Sequence, residues 1–205
     1  MTELLVRHGL GHDDMVDNII RTWNRSTHAE RAAGAAWYSD ARDHAAGVGD
    51  LVGAGLRAGA GAIAVLSPQV EWSVNVREAY AVACDVADDV MPNEHAFAAF
   101  PSNVEKAWAI LSDPSTVDDV VSGPKVSAFY RAIAGLPGGP VIDRHATRVA
   151  TAHAHDSVTR ATYKLVQDAY VSAAARIGQD EHALQATTWL VCKRDLAATR
   201  KYGKD

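Results

Sequence analysis

The chain has 205 residues, a mass of 21.9 kDa and a formal net charge of −5, with 48% hydrophobic and 22% charged residues. It is long enough to bury a substantial core, as one domain or two packed helical lobes, and its composition is that of an ordinary soluble globular protein. No apolar run approaches the ~20 residues of a transmembrane helix. Residues 1–8 lack the basic-then-apolar pattern of a signal peptide. Cys84 and Cys192 stand alone in apolar helical patterns, so they are expected to be buried thiols in a reducing cytoplasm.

Charge is uneven along the chain. Residues 1–120 hold 8 Lys+Arg against 18 Asp+Glu (−10), and residues 121–205 hold 12 against 7 (+5). Clustered cations attract phosphate whatever the overall sum, so the second stretch is the expected nucleic-acid side.

Alanine is abundant and strand-like alternation is absent, which predicts an all-α fold. The first helix is expected over 13–25, with Met15, Ile19, Ile20 and Trp23 on one face. Thr27-His28-Ala29-Glu30 has the pattern of a capping box and opens a second helix through about Ala46. Six glycines between 47 and 61 read as a loose turn leading into a tightly packed helix. None completes a G-x-G-x-x-G motif, because Val52, Ala58 and Ala64 fill the third slots. An apolar helix end at 60–66 breaks at Ser67-Pro68. Helices follow from Trp72 to about Val90, over a short piece between Pro92 and Pro101, and over 103–112 with Ser102 as cap. Next come 115–121 and a helix opened by Pro124 and closed near Gly135. After the turn at Pro137-Gly138-Gly139-Pro140, helices are expected at 142–153, 157–177 and 180–198, with Gly178 as a stop.

Chemistry concentrates at Val121-Ser122-Gly123-Pro124-Lys125 and, 18 residues after the lysine, at Asp143 within Ile142-Asp143-Arg144-His145-Ala146-Thr147-Arg148. A one- or two-residue loop between helices aims the amides and positive dipole end of the second helix outward, a grip suited to a DNA phosphate. It holds backbone without reading sequence. A neutral lysine is a nucleophile, and burial lowers its pKa toward that state. A carboxylate one helix later can steady developing positive charge. Read without the lysine, Asp143 is also a good N-cap.

These segments resemble the helix-hairpin-helix DNA glycosylases. Their hairpin reads Leu-Pro-Gly-hydrophobic-Gly-x-Lys; here Val121 takes the first glycine's place and Gly123 keeps the second. Their following element, Val-Asp-x-His-x-x-Arg, is matched by Asp143, His145 and Arg148 in register. A further stretch, Leu66-Ser67-Pro68-Gln69 followed by Val74-Asn75, is similar to the family's Leu-Ser-x-Gln and Val-Asn helix ends. The resemblance covers roughly residues 60–150. It implies a two-lobed helical bundle with lobe A at about 60–150 and lobe B from 1–59 plus 151–205. It also implies a DNA partner, nucleotide flipping, and cleavage of the N-glycosidic bond by Lys125 through a Schiff base, possible strand cleavage included, with Asp143 as charge stabiliser. Gln69 would fill the gap left by the flipped nucleotide, and Ser122, Gly123, Arg144, His145 and Arg148 would contact DNA. The family's C-terminal four-cysteine iron–sulfur motif is absent, and no cofactor is implied. Two alternatives stay open: a phage-type base-modifying enzyme on the same fold, and an inactive DNA-binding protein.

Other constellations are weaker. His145, His153, His155 and Asp156 are not spaced as ligands on one helix face, so no metal is expected. Asp85, Asp88, Asp89 and Glu94 read as a solvated helix end. Trp72 and Trp189 read as core, and Lys193, Arg194, Arg200, Lys201 and Lys204 form a basic run. Oligomeric state and the base recognised have no short signature.

Overall fold

The computed structural model describes residues 10–93 and 96–202. Residues 1–8, Glu94 of the acidic stretch and Lys204 of the basic run lie outside the described residues, as do the side chains of Arg200 and Lys201. The chain is all-helical. Among the described residues there are ten α-helices and no strand: α1 (His12–Asn24), α2 (His28–Leu51), α3 (Gly55–Leu66), α4 (Trp72–Ala87), α5 (Pro101–Ser112), α6 (Val117–Val120), α7 (Pro124–Ala134), α8 (Arg144–Ala150), α9 (Arg160–Ile177) and α10 (Glu181–Tyr202). A 3₁₀ turn, Pro114–Thr116, precedes α6.

Several boundaries follow from the local signals. Thr27 and Glu30 form the expected reciprocal cap, with Glu30 N donating to Thr27 Oγ1 at 3.1 Å and Thr27 N to Glu30 Oε2 at 2.8 Å. Gly135 and Gly178 are left-handed and end α7 and α9. Pro101, not Ser102, opens α5, with Phe100 at the cap position. The short helix expected between Pro92 and Pro101 falls partly on residues 94–95, outside the described set.

The chain divides into two compact units. A central unit, Ser39–Gly138, is continuous; a terminal unit combines Met1–Tyr38 with Gly139–Asp205. The expected lobe limits near 59/60 and 150/151 are thus replaced by 38/39 and 138/139. Packing gives the reason: α8 lies against α1, α9 and α10 and so joins the terminal unit, while α2 runs on past Tyr38 into the central one.

In the central unit α3 is the hub, packed by α4, α5, α6 and α7. Every residue from Ala58 to Leu66 is buried, and each of Ile63, Val65 and Leu66 contributes about 1.5–3 kcal/mol by leaving water. The glycine-rich stretch is not a loose turn: Gly47 and Gly49 lie inside α2, Gly59 and Gly61 inside α3, and only 52–54 connects the two. A Cβ on Gly59 would stand 1.9 Å from Ala45 O, and one on Gly49 would stand 2.1 Å from Gly55 O. The two helix backbones therefore touch directly. Buried Asn75 donates to Ile63 O at 3.1 Å, satisfying a carbonyl in the last turn of α3. Buried Glu78 accepts from Ala98 N at 2.5 Å and Ala99 N at 3.2 Å, tying down the segment before α5.

In the terminal unit α1 packs on α8, α9 and α10. Buried Asn18 donates to Ala150 O at 3.0 Å, closing the end of α8. No single helix among the described residues is long and apolar enough to cross a membrane.

Candidate functional site

The segment expected to form the hairpin lies in the central unit. Residues 121–123 join α6 to α7. Val121 has ordinary extended dihedrals (φ −70°, ψ 110°), bonds through its amide to Val117 O at 3.0 Å, and is 8% exposed. It faces the interior, so the residue standing where the family has a glycine is not at the tip. Ser122 and Gly123 are at the tip and exposed. Gly123 has φ 86° and ψ 146°, while a Cβ there would meet nothing within 4 Å. Glycine is thus required by backbone conformation rather than by space. Pro124 takes the first position of α7 and half-buried Lys125 the second. The helix before the hairpin is short, a single four-residue turn after the 3₁₀ segment.

Gln69 is exposed at the turn between α3 and α4 and holds a left-handed φ of 65°. Trp72, three residues on, is half-buried and lies edge-on to Phe129 at 6.2 Å and His44 at 6.2 Å.

The remaining predicted residues lie in the terminal unit. Asp143 caps α8: its Oδ1 accepts from Ala146 N at 2.8 Å, and its carbonyl accepts from Thr147 N at 3.0 Å. Oδ2 makes no hydrogen bond among the described residues. The N-cap reading of this residue is therefore correct as far as it goes, and it leaves one carboxylate oxygen uncommitted. Arg144 is exposed. Arg148 is already engaged, its Nη2 2.6 Å from Asp156 Oδ2. His145 is half-buried, with Nδ1 3.7 Å from Cys192 Sγ and its ring edge-on to Trp189 at 6.3 Å. Lys193 Nζ sits 4.3 Å above the Trp189 ring.

Burial lowers the His145 imidazole below its usual range, as do Arg148, Lys193 and Arg144, against an opposing pull from Asp143. Burial raises the Cys192 thiol to about 11, with Asp143 and Asp195 adding to the rise and Arg148 opposing it. The pair is a protonated thiol beside a neutral imidazole. The two cysteines also divide: Cys192 is buried as expected, but Cys84 is exposed.

Three phenols feel the charge of the same carboxylate, and sequence reading missed all of them. Burial pushes Tyr163 up to about 12, helped by Asp143 and opposed by the Ile142 amide, which donates to its hydroxyl at 3.3 Å. Tyr38 and Tyr170 are raised by burial first and by Asp143 in turn. Tyr38 donates to Gln185 Oε1 at 2.8 Å and Tyr170 pairs with Thr188 Oγ1 at 3.0 Å. The available signal was the polar run Gln185, Thr187, Thr188 inside the otherwise apolar core of α10. No group of metal-ligating side chains occurs among the described residues.

Charge also redistributes once the units are known. The central unit, which carries the hairpin, holds 6 Lys+Arg against 13 Asp+Glu (−7); the terminal unit holds 14 against 12 (+2). The basic excess of the second half belongs to the helices after the hairpin.

A match to a family of unknown function, DUF7178, spans residues 1–196. The chain belongs to DUF7178. The DUF7178 match runs through both units, so the hairpin and the Asp143 helix are parts of one family region. No curated protein and no solved structure matches the chain.

Proposed function

We propose that this DUF7178 protein is a helix-hairpin-helix, glycosylase-like enzyme that flips a nucleotide of DNA and breaks its N-glycosidic bond. The observation that carries the reading is the hairpin itself. A glycine in a conformation that other residues rarely adopt sets Pro124 and Lys125 at the start of an 11-residue helix, followed at the resemblance's spacing by Asp143 with one oxygen uncommitted.

In this reading the neutral Lys125 amine attacks C1′ of the flipped nucleotide. The C1′–N bond breaks, its electron pair leaves with the base, and the base takes up a proton. The ammonium formed on C1′ loses a proton, its nitrogen lone pair then makes the C1′=N bond as the C1′–O4′ bond breaks, and O4′ takes up a proton, leaving an iminium. The Asp143 carboxylate steadies the positive charge that builds on the sugar in the transition state. Gln69, exposed at its turn, enters the space the nucleotide vacates. Ser122, Gly123, Arg144, His145 and Arg148 hold backbone.

Borohydride trapping tests the assignment. Incubation with duplexes carrying varied lesions, followed by reduction, should give a covalent DNA adduct that Lys125→Ala abolishes. An adduct that survives the change, or turnover that survives it, discards Lys125 as nucleophile. A product that keeps its altered base on the sugar would instead assign base modification on this fold. Salt-dependent DNA binding without any turnover would leave a DNA-binding protein.

A further inference from the structure

The central unit holds an open cavity of about 310 Å³, lined by Arg57, Asp118, Val121, Ser127, Tyr130, Arg131, Leu136 and Pro137. That volume is at the small end of the range for small-molecule sites. Its polar wall is held in place by side-chain bonds. Arg57 donates through Nε to Tyr130 Oη at 2.9 Å and through Nη2 to Asp118 at 2.9 and 2.7 Å; Tyr130 donates onward to Asp118 at 3.3 Å. Arg131 donates through Nη1 to Pro137 O at 3.1 Å, and its stem lies against Gly138.

Counting donors and acceptors decides what such a cavity takes. The Asp118 oxygens are engaged by Arg57. Arg57 Nη1, Arg131 Nε and Nη2, and the Ser127 hydroxyl make no hydrogen bond among the described residues. Unused donors therefore outnumber unused acceptors: Arg131 keeps an Nε/Nη2 fork that fits two phosphate oxygens, and Arg57, whose Nε and Nη2 are held by Tyr130 and Asp118, keeps Nη1. Arg57 also lies in the first turn of α3, where a cation opposes the helix dipole and an anion would complement it. This happens in a unit of net charge −7, where Arg57 and Arg131 are two of only six cations. Val121, Leu136 and Pro137 add apolar surface to the lining.

We propose that this cavity binds a small organic phosphate of nucleoside-monophosphate size. Arg57 and Arg131 take the phosphate oxygens, Ser127 adds a hydroxyl, and Leu136 and Pro137 cover the organic portion. The site goes beyond the glycosylase reading and does not depend on it. Ser127 is two residues past Lys125 and so faces a different side of α7.

Titration calorimetry on the full chain with dTMP, thymidine, inorganic phosphate and a 5′-phosphorylated oligonucleotide tests it. The expectation is that dTMP binds, and that thymidine and inorganic phosphate bind at least ~10-fold more weakly. Arg131→Lys, which keeps charge and stem but loses the fork, and Ser127→Ala, which is small enough to spare the fold, should each weaken dTMP. Lys125→Ala should leave dTMP binding unchanged, even where it abolishes a trapped adduct. An oligonucleotide that matches dTMP places the natural phosphate at a DNA end, and one that fails to bind places it on a free nucleotide. No dTMP binding, dTMP binding indifferent to both cavity variants, or inorganic phosphate binding as tightly as dTMP overturns the proposal.

Discussion

Asp143 can be made to separate its two roles. In Asp143→Ala the Ala146 amide loses its acceptor, which costs about 0.5–2 kcal/mol for a lost cap, and α8 loses a carboxylate at its positive end, a further 0.3–1 kcal/mol or so. A loss of about 2 kcal/mol in a chain of this size lowers Tm by roughly 4–8 °C. Asp143→Asn keeps an oxygen where Oδ1 now stands, 2.8 Å from Ala146 N, and asparagine caps as well as aspartate does. Only the charge goes, so Tm should fall by no more than about 1–3 °C. Turnover should behave differently: removing a preorganised electrostatic partner of the reacting centre costs on the order of 10²–10³ in rate, and both variants should lose it. Calorimetry and a single-turnover excision assay read the two effects separately. A built-in control is Tyr163, whose pKa of about 12 is raised in part by Asp143 and should move down in the asparagine variant. Wild-type turnover by Asp143→Asn would refute the stabiliser role, and equal destabilisation by both variants would refute the cap assignment.

Gly59→Ala should destabilise by about 1–3 kcal/mol although alanine is the better helix former by about 1 kcal/mol, because its Cβ would lie 1.9 Å from Ala45 O; a urea titration with unchanged or increased midpoint contradicts the backbone contact. Gln69→Gly should leave Tm within about 2 °C, since relief of a left-handed non-glycine offsets the extra entropy of the unfolded chain, while it removes the wedge and lowers flipping of a fluorescent base analogue. For His145 the folded pKa lies below the usual 6.5, so the unfolded chain binds more protons between those two values. Stability should be full above pH ~6.5 and fall as pH drops toward the folded pKa; His145→Gln should flatten that fall, and a pH–stability curve identical to wild type would remove His145 as its cause.

The helices were legible because their signals are local. Thr27 with Glu30, Pro124 with Gly135, and Gly178 each specify an end within four residues or by a left-handed turn, and all behaved as expected. The glycines at 47–61 were not legible, because a glycine in a turn and one at a helix contact look alike in sequence. What distinguishes Gly53 from Gly59 is a positive φ in the first and a facing carbonyl in the second. The unit boundaries were hidden for the same reason: α8 belongs with α1, α9 and α10 through contacts far apart in the chain. At the candidate site, Lys125 and Asp143 were found through their spacing, and the cap was read from Asp143 alone. Tyr38 on α2 and Tyr163 and Tyr170 on α9 come from two segments far apart in the chain and come under the influence of Asp143 only after folding.

Charge read by unit makes a last prediction that charge read along the chain would not. With the hairpin unit at −7, the DNA contacts assigned above bring few cations: Arg144 and Arg148, the last already paired with Asp156, because Lys125 acts as a neutral amine. Each phosphate neutralised contributes about −0.9 to the slope of log K against log salt, so one or two cations give a slope of roughly −1 to −2. The hairpin's share must come from backbone amides and a helix dipole, which release few counterions. A filter-binding series over a range of salt measures this directly. Arg144→Ala should reduce the steepness by about one. A slope near −6 would mean that cations outside the assigned set, such as those at the end of α10, carry the binding, and the hairpin would lose its place as the principal DNA contact.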